Sequence, residues 1–206
     1  MKASRNLVYP VGTEGFVSSR KFVTLSWVEE HEYDLVTTLR NQPHVGKWFL
    51  NNRLFDKEQN KIWLSQKMKK PQESLLSIRF KDTGLFLGTI GWSDWNLVKK
   101  TACFGRVAID YKAIRKVVHL VPKTYEGFAV DAGIALRDYA FMAMHLEKIK
   151  TYYLSKNTKA ARLNQMIGLT YLSKEIMKRC DGSLVEITHL ELARSDWEIL
   201  LSIGLD

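Results

Sequence analysis

Cysteine, proline and long apolar runs are all scarce in this chain. The two cysteines, Cys103 and Cys180, lie far apart and form no CxxC pair. That excludes a disulfide framework and a cysteine zinc site, and it predicts a reducing compartment, the cytoplasm. His31, His44, His145 and His189 have no metal-ligand spacing, so no metal is expected. No uninterrupted apolar stretch reaches the roughly 18 residues a membrane span needs. The opening MKASRNLVYPVGTEG has no apolar run, which predicts no signal peptide. Repeats, low-complexity tracts and linker-like stretches are also missing. A single domain over residues 1–206 is therefore expected, with 1–20 as an N-terminal extension of undefined structure.

What is present suits a folded domain. Hydrophobic residues make up 46% of 206, enough for a real core, and 26% of the residues are charged. The net charge is +9. Such a balance fits nucleic acid, an anionic membrane surface or a polyanionic small molecule. The cations are scattered, with small clusters at Lys67, Lys69 and Lys70, at Lys112, Arg115 and Lys116, and at Lys174, Lys178 and Arg179. They read as solvated faces, and a phosphate-rich cofactor would account for part of the charge without nucleic acid.

Periodicity gives the elements. KFVTLSWV (21–28) alternates as a strand, and EEHEYDLVTTLRN (29–41) has helical spacing until Pro43 breaks it. Glu29, Glu30 and Glu32 read as first-turn charges of that helix. Residues 56–70 form a helix from an Asp56 cap, with Ile62, Trp63 and Met68 turned to the core. Strands 74–80 and 85–93 flank the turn Asp82-Thr83-Gly84, a hairpin signal. A strand over 102–111, an apolar helix over 131–145 and a strand over 148–155 follow. A helix over 157–169 and a last hairpin around Asp181-Gly182 complete the pattern. This order predicts a mixed α/β (α+β) domain. Within NTKAARLNQMIGL (157–169), Asn164 stands on the apolar face, where packing alone would favour a hydrocarbon side chain.

Five segments in order resemble the GNAT family of acyl-CoA-dependent N-acyltransferases, from about Phe22 to Trp197. LEKIKTYYLSKNTKAARLNQMIGL is similar to the family's strand, Asn and N-x-x-A-x-x-L-Y-x-x-x-G-F helix, with Asn157, Ala160, Leu163, Gly168 and Leu169 in register. GFAVDAGIALRDYAF resembles the helix after the acyl-CoA loop. RNQPHVGKWF, GTIGWSDWN and FGRVAI look like the ribosomal-protein and amino-sugar acetyltransferase branch. The resemblance implies the GNAT fold: a central twisted mixed sheet of about six to seven strands flanked by helices, with splayed parallel central strands.

The resemblance also implies site residues. Backbone groups of Val107 and Ile109 would hold the thioester, and Asn157 the pantetheine arm. The helix start at Gly127, Phe128, Ala129 and Val130 would take the pyrophosphate, because a helix N-terminus offers free N–H groups and positive potential. The family loop Q/R-x-x-G-x-G/A reads Thr124-Tyr125-Glu126-Gly127-Phe128-Ala129. Thr124 thus replaces a Gln or Arg, Glu126 adds negative charge, and Lys123 is the local compensating cation. Asn164 stands where the family has a Tyr that protonates the departing thiolate. An amide donates a hydrogen bond to sulfur but supplies no proton. On the acceptor side fall Arg40, Asn41, Trp48, Trp92 and Trp95, with core filling as the plainer role for Trp48 and Trp63. Asp94, Asp110 and His119 are the candidate bases, each equally readable as a turn or surface residue. Cys103 reads as a small buried hydrophobe.

The expected activity is transfer of an acetyl or related acyl group from acyl-CoA, with acetyl-CoA as cosubstrate, to a primary amine. Direct attack in a ternary complex is expected, with a small acceptor such as an amino sugar. The expected partners are the CoA thioester and the amine, with the chain a monomer or homodimer away from membranes. The alternative is a catalytically altered module that binds acyl-CoA or RNA without turnover.

Overall fold

The computed structural model describes residues 16–67, 72–125 and 127–203. Strands β1 (Phe16–Arg20) and β2 (Val23–Trp27) form a hairpin. A 3-10 turn at Glu30–Glu32 leads into helix α1 (Tyr33–Asn41), and Pro43 opens the short α2 (Pro43–Gly46). Helix α3 (Lys57–Lys67) precedes β3 (Leu76–Phe80), β4 (Phe86–Asn96) and β5 (Thr101–Ile109). Then come α4 (Tyr111–Val117), α5 (Phe128–Met142), β6 (Lys148–Leu154) and α6 (Thr158–Met166). Strands β7 (Thr170–Lys178) and β8 (Leu184–Ala193) and helix α7 (Arg194–Ser202) end the described chain.

The eight strands make one sheet in the order β1-β2-β3-β4-β5-β6-β8-β7. All neighbours are antiparallel except β5 and β6, which run parallel because α5 returns the chain across the sheet. The eighth strand is β1, which lies inside the stretch read from sequence as an extension; residues 1–15 fall outside the described residues. No helix among the described residues is long and apolar enough to cross a membrane.

Helix α5 is the hub of the core. Most of its circumference is buried, which fits its nearly continuous apolar sequence. It meets α6 closely at Gly133, where a Cβ would come within 2.9 Å of Ile167 Cγ2. Arg137, only 1% exposed, reaches from α5 to the end of α6. Its Nε donates to Asp138 Oδ1 at 2.8 Å and a terminal nitrogen donates to the Ile167 carbonyl at 3.3 Å. Trp197 Nε1 donates to the same Asp138 oxygen at 2.9 Å. A cation at a helix C-terminus is favoured by the helix dipole, so Arg137 fixes the end of α6.

Several expectations need correction. Ile62 and Trp63 are exposed, at 59% and 42%. Helix α3 turns Asn60 and Leu64 inward instead, and Asn60 Nδ2 donates to Thr37 Oγ1 at 2.7 Å. A satisfied buried amide thus sets the inward face, which hydrophobicity alone did not reveal. Met68, Lys69 and Lys70 lie outside the described residues. Glu32 is no surface charge: it is fully buried, accepting from Ser77 Oγ at 2.7 Å and pairing with Arg79 at 2.8 Å. The segment after β5 contains α4, capped by Asp110, whose carboxylate accepts from the Lys112 and Ala113 amides. The Asp110 cap and the i, i+4 pair Ala113 and Val117 were the available signals for it. Helix α7, anchored by buried Trp197, also went unread.

Candidate active site

The parallel pairing of β5 and β6 is short. It runs from Thr101 opposite Lys148 to Phe104 opposite Thr151 and then stops. Thr151 Oγ1 donates to the Phe104 carbonyl at 2.8 Å, marking the last tie. Beyond it the strands diverge, so the facing edges of Gly105–Ile109 and Tyr152–Leu154 carry backbone groups without a ladder partner. Against β4 on its other side, between the pairs Gly91–Gly105 and Thr89–Ala108, β5 has two residues (Arg106 and Val107) where β4 has one (Ile90). This is a bulge at Arg106, whose φ is +57°. Its carbonyl is taken by the Thr89 hydroxyl at 3.1 Å, and its guanidinium by Glu73 at 2.6 Å.

Two adjoining cavities fill the fork. The inner one, of about 250 Å³, is lined by Trp48, Phe49, Cys103, Tyr152, Tyr153 and Asn164 among others. The outer one, of about 630 Å³, opens between α2, α4, the start of α5 and the start of α6. Trp48, Phe49, Val107, Asn157, Ala160 and Leu163 line both. Helix α6 therefore spans the cleft, its first turn facing outward and Asn164 facing inward. Asn164 is 8% exposed, and its side-chain amide has no hydrogen-bond partner among the described residues. Asn157 caps α6, its Oδ1 accepting from the Ala160 amide at 3.1 Å. Its Nδ2 stays available to a ligand.

The residues expected from the sequence divide into three groups. Val107, Ile109, Ala129, Asn157, Asn164 and Trp48 line the cleft. A second group holds structure. Arg40 stacks on Phe49 with its guanidinium 3.8 Å from the ring centroid and donates to the Asn51 carbonyl, and burial lowers its pKa to about 10. Asn41 brackets Phe55, donating to its carbonyl at 2.7 Å and accepting from its amide at 2.8 Å. Both residues shape the loop that carries Trp48 and Phe49. Trp92, 2% exposed, meets Trp27 edge-on and stacks on Tyr139 in the core, and half-buried Trp95 packs against the same cluster; neither lines the cleft cavities. The expectation that Trp92 and Trp95 bind substrate is corrected on that ground. Asp110 is a helix cap.

The third group lies away from the fork. Phe128 is a core residue. Thr124, Gly127 and Val130 line a separate cavity of about 200 Å³ under the β1–β2 turn. Buried Asp131 accepts there from the Phe22 amide at 2.8 Å and the Tyr125 hydroxyl at 3.1 Å. Gly127 has φ +119°, and a Cβ on it would meet nothing within 4 Å. It is needed for its backbone conformation rather than for close approach. Lys123 and His119 are exposed and line neither cleft cavity, and Glu126 lies outside the described residues. Asp94 is exposed with φ +54° and accepts from Ser93 Oγ at 2.9 Å. Burial, then the Asp94 charge, pushes the Cys103 thiol up, so it rests as a neutral thiol rather than a nucleophilic thiolate.

The hairpin tip between β7 and β8 braces the inner roof. Arg179 donates to the Lys47 carbonyl at 2.5 Å, Asn52 to Asp181 at 2.5 Å, and Arg53 to the Cys180 carbonyl at 3.2 Å. Nothing local in the sequence signals this long-range contact. The same holds for the bulge at Arg106 and for which tyrosines border the fork.

Residues 23–170 match the acetyltransferase (GNAT) domain family. The chain belongs to the GNAT acetyltransferase family. Solved structures share the fold. The spermidine N-acetyltransferase from Vibrio cholerae, in complex with CoA and spermine, superposes with a TM-score of 0.74 at 15% identity, covering 87% of this chain and 99% of that one. A probable acetyltransferase from Chromobacterium violaceum gives 0.72 at 14% identity, covering 96% and 98%. A GNAT-family acetyltransferase from Bacillus anthracis gives 0.69 at 16% identity, covering 87% and 99%. No curated protein matches the chain by sequence. The family assignment makes this chain an acetyltransferase; the branch within the family stays at the level of resemblance.

Proposed function

We propose that this GNAT protein moves an acetyl group from acetyl-CoA to a compact, hydroxylated primary amine such as an amino sugar, by direct attack within a ternary complex. The observation that carries the reading is the fork: two parallel strands that part after Phe104 and Thr151, with a bulge at Arg106 in the parting strand. A peptide-like pantetheine arm fits unpaired strand edges as a further strand would. Val107 borders both cavities, and Asn157 Nδ2 is free to donate to an amide carbonyl of the arm.

Acetyl-CoA supplies an activated carbonyl and a thiolate leaving group with a pKa of about 8.5. Backbone N–H groups of the Val107 segment would polarise the carbonyl oxygen, and Asn164 would donate a hydrogen bond to the sulfur. Among the described residues lining the inner cavity there is no Asp, Glu or His. The amine must therefore arrive neutral or lose its proton to water. A cavity without a carboxylate suits a polycation such as spermidine poorly. Aromatic faces on Trp48 and Phe49, with hydroxyls on Ser93, Thr151, Tyr152 and Tyr153, suit a sugar ring.

The test is release of free thiol, with the N-acetyl product identified by mass spectrometry, from acetyl-CoA and a panel of glucosamine, spermidine, a simple alkylamine and a peptide N-terminus. Turnover of the amino sugar should exceed that of spermidine by about tenfold or more. The second reading, a binding module without turnover, draws support from Asn164 in place of a proton donor. CoA binding with no thiol release to any amine would favour it.

A further inference from the structure

Four cations converge on the outer cavity: Lys47 beside α2, Lys112 and Arg115 on α4, and Lys159 in the first turn of α6. No carboxylate lines that cavity among the described residues, and none of the four has an ion-pair partner among them. Unpaired cations also stand elsewhere on the surface, as at Lys81, Lys99 and Lys156; what marks the mouth of the fork is that four of them line one cavity with no carboxylate among its described lining.

The segment that supplies half of them, α4, has its own fixings. Asp110 caps α4, and Ala113 and Val117 are buried beneath it. Lys112 and Arg115, three apart, share one face of that helix and border the cavity. Lys159 meets the same helix across the mouth. Its Nζ donates to the Tyr111 hydroxyl at 3.0 Å and stands 4.5 Å from the centre of that ring. The His44 ring also lies 5.4 Å from Tyr111. The start of α5 contributes little to this cavity: of residues 127–130 only Ala129 borders it.

Resting on the acetyl-CoA reading, we propose that α4 and Lys159 form a phosphate site for the nucleotide end of the donor. In this site the cations of α4, rather than the loop before α5, are the main anchor. A phosphate is a stronger partner for an ammonium than a phenol is, because the hydrogen bond is charge-assisted on both sides. Binding therefore draws Lys159 from Tyr111 onto the ligand, which opens the mouth only when a polyanion is there. Arg115 adds a planar fork suited to phosphate oxygens.

The test is titration calorimetry of the full chain and of K112A/R115A with CoA and with dephospho-CoA, beside KM values for acetyl-CoA and for S-acetylpantetheine, which lacks the nucleotide. The double variant should bind CoA about tenfold or more weakly, with the acetyl-CoA KM raised in step and the S-acetylpantetheine KM unmoved. Lys159→Ala, on a different element, should weaken CoA in the same sense. An equal loss with dephospho-CoA assigns the contact to the diphosphate, and no loss assigns it to the 3′-phosphate; both support the site. CoA affinity unchanged in K112A/R115A and in Lys159→Ala overturns it. Tight CoA binding that these variants abolish, without acetyl transfer to any amine, would sink the proposed reaction and leave the phosphate site standing.

Discussion

The outer half of the cleft is bordered by four cations, the inner half by one, Arg106, which Glu73 already holds at 2.6 Å. The two halves share a wall made by Trp48, Val107, Asn157 and Leu163. Charge therefore changes over a few residues along a continuous groove. The outer half favours a ligand that brings several negative charges. The inner half favours a neutral group enclosed by aromatic rings and hydroxyls. A donor with a phosphate-rich end and a thioester end needs this gradient, and the amine must meet the thioester where the protein has little charge to offer. Helix α6 joins the halves, which makes its two ends separately testable.

The largest effect should come from loosening the inner end of α6. Asp138 neutralises buried Arg137, which holds the Ile167 carbonyl. Asp138→Ala leaves a buried cation without its partner, so we expect a loss of about 3 kcal/mol. In a domain of this size that lowers the melting temperature by about 6–12 °C. Below that temperature CoA affinity should hold while the acceptor KM rises, because the first turn of α6 keeps its own cap at Asn157. Equal damage to both would show that the halves are not independent.

Next comes pH. No carboxylate or imidazole lines the inner cavity among the described residues. Burial pushes both the Cys103 thiol and the Tyr152 hydroxyl up, keeping them protonated near neutrality. The rate should therefore follow the acceptor's own ionisation. For an alkylamine with a pKa near that of lysine, about 10.4, kcat/KM should climb about tenfold per pH unit, or about a hundredfold from pH 6 to 8. A plateau beginning near pH 6.5 would reveal an enzyme base that this lining does not contain.

The smallest effect belongs to Asn164→Ala. Thiolate departs readily, and one neutral hydrogen bond is worth about 0.5–1.5 kcal/mol, so turnover should fall about tenfold or less. Melting temperature should barely change, because the amide has no hydrogen-bond partner to lose among the described residues. A large drop in stability with specific activity intact would make Asn164 a structural residue instead. A loss of several orders of magnitude in turnover with stability intact would mean that the amide holds substrate directly.

Much of this architecture was legible in the sequence because its signals are local. The apolar patterns of 148–155 and of the last hairpin marked β6 and β8, and the apolar run over 131–145 marked the central helix, which the structure starts three residues earlier at Phe128 and ends at Met142. The register of Asn157 and Asn164 on α6 followed from helical spacing. What stayed hidden depends on partners distant in the chain. The bulge at Arg106 exists only relative to β4. The roles of Arg40 and Asn41 depend on a loop ten or more residues away, where Asn51 and Phe55 accept their hydrogen bonds. Trp92 and Trp48 are both tryptophans close after a glycine, and only the tertiary fold decides that one fills the core while the other borders the cleft. The basic cluster of α4 read as a solvated face because nothing local says that a cavity adjoins it.

A crystal structure of the chain with CoA would test the central claim most directly. The account predicts the nucleotide between α4 and the first turn of α6, with Lys159 drawn away from Tyr111. The thiol should reach past Val107 towards Asn164. CoA lodged instead against Thr124, Gly127 and Asp131 under the β1–β2 turn, with the fork between β5 and β6 left vacant, would contradict it.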